Sequence, residues 1–147
     1  MDTGTANRRR AVLLTAEARE TETFDPDKAL TLANEALRLA PSLVPAAELA
    51  GRLFASKGEA RAASRQIVRT WKLSPHPDLA VAYAFAKPGL SPKDRLKRVE
   101  YLAGLTPDDV EGSIAVAQAA IDAKEWQQRA TCWRPTLRVG LPRASAR

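Results

Sequence analysis

Leu49-Ala50-Gly51-Arg52-Leu53-Phe54, followed by Lys57-Gly58, then Ala63, Ile67 and Leu73-Ser74-Pro75, is the stretch that decides the fold. Leu49, Ala50, Leu53 and Phe54 recur at spacings of three and four, which predicts a helix over 45–56 with one apolar stripe. Gly51 inside that helix costs about 1 kcal/mol against alanine. The compensation it implies is a close approach of two helices. Gly58 is placed to end the helix in the left-handed conformation. Pro75 cannot continue a helix and biases Ser74 away from the α region, so it closes the second helix of a pair.

The same arrangement recurs on both sides. Upstream, Ala29, Ala33, Ala36-Leu37 and Leu39-Ala40-Pro41 match Ala63, Ile67 and Leu73-Ser74-Pro75. Downstream, Leu96, Val99 and Leu102 close on Leu105-Thr106-Pro107. Pro41 and Pro75 are 34 residues apart, and Pro75 and Pro107 are 32 apart. That period belongs to a repeated helix–turn–helix unit. Asp25-Pro26-Asp27 opens one helix, with Asp25 as the N-cap, Pro26 at the first helical position and Asp27 at the positive end of the dipole. Helices are also expected over 8–23, over 77–86, from Ser91-Pro92 onward, and over 109–124.

At this point the residues resemble a known family. Leu49 to Phe54, Ala63 and Pro75 are similar to the tetratricopeptide-repeat signature. The first unit keeps Ala29, Ala36 and Pro41 but has Glu17 and Glu20 where glycine and an aromatic are usual. The resemblance implies an all-α fold, a tetratricopeptide-repeat-like α-solenoid of about seven antiparallel helices in three and a half pairs. A narrower resemblance runs through Asp25 to Leu30, Leu39-Ala40-Pro41, Trp71 to Leu79 and Asp94 to Arg98. This looks like the C-terminal repeat region of bacterial HemY proteins. That family carries membrane helices ahead of its repeats and is linked to haem biosynthesis, with no catalytic residues to transfer. A full-length HemY-like parent would be anchored in the inner membrane, whereas the chain as given reads as soluble.

Composition agrees with close-packed helices. Aromatics are 5% of 147 residues, so the apolar set is dominated by small and aliphatic side chains. One cysteine cannot form an internal disulfide. The net charge of +6 is unevenly placed. Before Arg129 there are 18 Lys and Arg against all 17 acidic residues, and the other five charges are Arg129, Arg134, Arg138, Arg143 and Arg147. A nearly neutral body does not have the concentrated basic face with interleaved aromatics that nucleic acid requires, so no nucleic-acid partner is expected.

These observations divide the chain into a disordered N-terminus over 1–7, a repeat array over 8–128 and an irregular basic tail over 129–147. Glu125-Trp126-Gln127-Gln128 looks like the opening turn of a further helix, but the next residues lack the apolar stripe the repeat demands. A change of reading frame after Gln128 would account for this Arg- and Pro-rich text, and sequencing the locus decides it. The competing reading is a native basic tail that binds an acidic surface. Without its covering helix, the apolar side of 109–124, with Ile114, Ala117 and Ile121, is expected to be exposed and to favour self-association.

Candidate chemistry is sparse. His76 is the single histidine, so no second one can complete a triad or a His-based metal site. A haem or metal ligand is the functional reading of His76; a turn residue between Pro75 and Pro77 is the structural one, and the preferred one. Asp25 with Asp27, and Asp108 with Asp109, fall at helix starts, where capping explains them. No cofactor, no metal and no catalytic residue is assigned, and the chain is read as a non-enzyme. Arg61, Arg65, Arg69 and Lys72 recur at three and four on one face and are the candidate partner-binding residues. The function expected is a protein-interaction scaffold holding a protein or peptide in a concave groove. The alternative is an accessory protein that binds porphyrin or haem directly.

Overall fold

The computed structural model describes residues 2–139, and side chains only as far as Gln128. Seven helices are present among the described residues: α1 (Thr3–Thr21), α2 (Pro26–Leu39), α3 (Val44–Ser56), α4 (Ala60–Leu73), α5 (Pro77–Phe85), α6 (Pro92–Gly104) and α7 (Val110–Val139). Each packs on its neighbour in sequence, and α1 also meets α3, α3 meets α5, and α5 meets α7. The odd-numbered helices therefore form one connected row.

Local chemistry sets the boundaries. The Asp25 carboxylate accepts a hydrogen bond from the Lys28 amide at 3.0 Å, with Pro26 at the start of α2. The Ser91 hydroxyl accepts from the Asp94 amide at 3.2 Å, again ahead of a proline. Helix α3 ends on Gly58 at φ +81. There the Gly58 amide donates to Ala55 O at 3.0 Å and the Glu59 amide to Phe54 O at 2.9 Å, the paired bonds of a Schellman stop. Lys57, at the same turn, hydrogen-bonds Asp27 in the first turn of α2, and that bond raises the lysine pKa.

Gly51 supplies the tightest helix contact. A Cβ there would lie 2.8 Å from Ile67 Cδ1 and 2.9 Å from its Cγ1, so the missing side chain lets α3 and α4 approach. Around it the core is built from Ala29, Ala33, Ala46, Ala50, Leu49 and Ile67, all fully buried. Trp71, also fully buried, donates its indole N–H to Thr106 Oγ1 at 2.8 Å. Its neighbour Thr70 donates to Pro41 O at 3.3 Å. Two adjacent residues of α4 thus tie the closing turns of the preceding and following helix pairs.

Three expectations need correction. The segment over 1–7 was expected to be disordered, yet α1 begins at Thr3, since no breaker separates Thr5-Ala6-Asn7 from the helix that follows. No turn interrupts the chain near Lys124. Instead α7 is a single helix of 30 residues, and across the expected break Ala115 to Gln128 contains neither glycine nor proline and is rich in Ala and Gln. The irregular tail expected from Arg129 is helical in its backbone as far as Val139. The rest of that tail, 140–147, lies outside the described residues.

Candidate functional site

The cations singled out from sequence are all exposed on α4. Helix α4 has four of them, Arg61, Arg65, Arg69 and Lys72, and no acidic residue. The structure does not keep the four together. Arg61 and Arg65 line an open groove near the start of α4, in which Lys87 follows α5 and Arg98 comes from α6. Arg69 lies in a separate recess with Asn34, Arg38 and Gln66, and Lys72 lines neither.

Arg98 is the fixed point of the groove. Its Nε–H donates to Tyr83 O at 3.1 Å, and Nη2–H donates to Ser64 Oγ at 3.0 Å. Its guanidinium carbon sits 4.2 Å from the Tyr83 ring centroid, a cation–π distance. Tyr83 is itself buried, which raises its hydroxyl pKa; Arg98 opposes that shift and Tyr101 adds to it. Glu59 is the single acidic residue lining the groove, against four cations. Several cations of the first three helices are answered. Arg10 pairs with Glu35, Arg19 with Glu48, Lys28 with Glu17, and Arg52 with both Glu22 and Glu48. Among the described residues, Arg61, Arg65, Lys87 and Arg98 form no ion pair of this kind.

Sequence reading missed Lys87 and Arg98. A signal was present, since Arg98 follows Ser64 by 34 residues, the spacing of Pro41 and Pro75, and the two are hydrogen-bonded. Offsetting the sequence by that spacing sets Arg98 of α6 against Ser64 of α4.

A second concavity opens where α5, α6 and α7 meet. It is an apolar cleft of about 210 Å³, with Val81, Phe85, Val99 and Ile114 in its walls and Arg95, Gln118 and Asp122 also lining it. Val81, Phe85 and Ile114 are each more than half exposed, at 56%, 60% and 51%. The Arg95 guanidinium lies 4.7 Å from the Phe85 ring centroid. Val81 and Phe85 continue into a second recess with Glu48 and Arg52 of α3. The face therefore runs across three odd-numbered helices.

His76 serves as the cap of α5. Its Nδ1 accepts a hydrogen bond from the Asp78 amide at 3.1 Å, so that nitrogen is engaged in the turn. Trp126 is exposed, at 58%. Among the described residues no group of three or more His, Cys, Asp or Glu could hold a metal ion. No helix there is long and apolar enough to cross a membrane.

No family model matches the chain. The chain is similar, at 31% identity over 124 residues, to a protein of Magnetospirillum gryphiswaldense described as "Probable magnetosome protein Mms48". The similarity covers 82% of this chain and 27% of that protein, so the chain spans about a quarter of its relative's length.

Proposed function

We propose that the chain is a non-catalytic protein-interaction module of the tetratricopeptide-repeat type, acting as the repeat region of a HemY-like protein does. Its helix pairs would stack as a solenoid whose odd-numbered row presents the binding groove. The observation that carries this reading is the face on α3, α5 and α7, where Val81, Phe85 and Ile114 stand half-exposed around an apolar cleft. Contiguous exposed apolar surface is a mark of protein interaction sites. The 34-residue spacing of Pro41 and Pro75 and the contacts that run α1–α3–α5–α7 support the repeat assignment.

The test is cross-linking in the cells that make the protein, with the native chain and a Phe85→Glu/Ile114→Glu variant. The expected result is a specific protein joined to the native chain and lost from the variant. An identical set of cross-linked proteins for both would refute the reading. The porphyrin alternative is tested in parallel: a change in the porphyrin absorbance band on adding micromolar protein would favour it over the scaffold.

Similarity to a probable magnetosome protein supports a second reading, in which the partner lies on such an organelle. A fluorescent fusion expressed in a magnetotactic bacterium tests it: co-localisation with the particle chain supports it and diffuse signal opposes it. Self-association through α7 is also proposed, because Ile114 and Ile121 are both half-exposed. Sedimentation showing only monomer at high concentration would exclude it.

A further inference from the structure

We propose that the groove formed by Arg61, Arg65, Lys87 and Arg98 binds an acidic peptide segment, with paired carboxylates on the two α4 arginines. This rests on the interaction-module reading and names a second surface, on the even-numbered helices α4 and α6, with a defined partner chemistry.

Charge complementarity carries the argument. Four cations converge from α4, α6 and the end of α5, and Glu59 is the only acid lining the groove. Across α1–α3, Arg10, Arg19, Lys28 and Arg52 are held by carboxylates of neighbouring helices or turns. In the groove no such carboxylate is supplied by the described residues. Like charges kept close together repel, and an incoming anion relieves that repulsion.

Geometry favours a peptide. Arg61 and Arg65 are four residues apart on one helix, so their stems are separated by about 6 Å along its axis. Alternate side chains of an extended peptide are about 6.6 Å apart, a close match. Each guanidinium can take a carboxylate through two parallel N–H···O bonds. Arg98 is held in place by Tyr83 O and Ser64 Oγ, which use two of its five N–H donors and leave the others for a ligand. An oriented arginine loses less side-chain entropy on binding than a free one. The aromatic ring at this site, Tyr83, is buried with Arg98 over it, so it offers no open face on which a nucleic-acid base could stack.

The experiment uses the full chain and a fluorescein-labelled peptide with glutamates at alternate positions, followed by anisotropy at two salt concentrations. The expected result is binding that weakens with salt and falls about tenfold or more in Arg61→Glu/Arg65→Glu. The control is Arg69→Glu/Lys72→Glu, which changes net charge equally on the same helix but leaves the groove intact; it retains binding. Circular dichroism of both variants verifies that the helices remain.

Equal loss in both double variants would show a general charge effect and overturn the proposal. So would stronger binding to a DNA duplex or to anionic lipid vesicles than to the peptide, or displacement of the peptide by millimolar inorganic phosphate. Absence of any peptide binding also overturns it. That outcome leaves the scaffold reading separately testable, because Phe85→Glu/Ile114→Glu alters the other face.

Discussion

Helices α1–α4 and helices α5–α7 are made from similar alanine-rich text but pack to different degrees. In the first group small residues are arranged around large ones: Gly51 admits Ile67, and Leu49 and Trp71 are fully buried. In the second group Leu79 and Leu102 are also fully buried, but α5 has only nine residues, Val81, Phe85 and Ile114 remain more than half exposed around a cleft, and Ile121 is exposed outside it. The ion pairs divide in the same way. The interhelical pairs joining α1, α2 and α3 have no counterpart between α5, α6 and α7 among the described residues. Density in one half sets the geometry, and the looser half leaves surface available for another molecule.

The largest test of that contrast compares two tryptophans. Trp71→Ala removes a fully buried indole and its bond to Thr106, and should cost about 3–5 kcal/mol. Trp126→Ala removes an exposed ring and should stay within about 0.5 kcal/mol. Urea denaturation of both variants checks the pair. Similar losses would mean that the two halves are equally packed.

Gly51→Ala comes next. The added methyl would meet Ile67 at 2.8 Å, and overpacking of this kind costs about 1–3 kcal/mol. The gain in helix propensity returns about 1 kcal/mol, so a net loss is expected. Adding Ile67→Val removes the Cδ1 atom and should recover part of it. The two changes should therefore be non-additive in a double-mutant cycle. Simple additivity would show that α3 and α4 are not in close contact at this point.

A smaller effect is expected at the caps, one from each half. Asp25→Ala removes the acceptor for the Lys28 amide, and Ser91→Ala removes that for the Asp94 amide. Each should lower stability by about 1 kcal/mol, read from thermal melts. If local helix starts matter equally in both halves, the two losses agree, and the contrast lies in packing alone.

How much of this was legible depended on whether one residue or several carried the information. Pro26, Pro75, Gly58 and Asp25 mark helix ends by their own backbone or side-chain chemistry, and the structure places ends beside them. Gly51 was legible as a close approach because a glycine inside a helix needs a reason. The continuity of α7 was not, because the repeat led to a turn near Lys124 where no glycine or proline enforces one. Nor was the groove. Arg61 and Arg65 were found by their helical spacing, but their separation from Arg69 and Lys72 depends on where α6 delivers Arg98. Side-chain spacing on one helix cannot report what a second helix contributes.

The smallest expected effect concerns Tyr83, which links the groove to the looser half. Burial raises its pKa above the usual value of 10.0, Arg98 partly offsets this, and Tyr101 adds to it. The unfolded chain therefore releases this proton at lower pH than the folded one. Between the two pKa values the folded state holds more protons, so stability falls as pH rises above about 10. Below that pH the contribution is fully present. Tyr83→Phe keeps the ring beneath Arg98 and the backbone acceptor for its Nε–H, but removes the ionising hydroxyl. Its stability should fall less steeply than that of the native chain across the alkaline range, with the difference growing as pH rises. Parallel curves for the two proteins would mean that Tyr83 reaches water as freely in the folded chain as in the unfolded one. The seam between the packed half and the open half would then be looser than the burial of this ring implies.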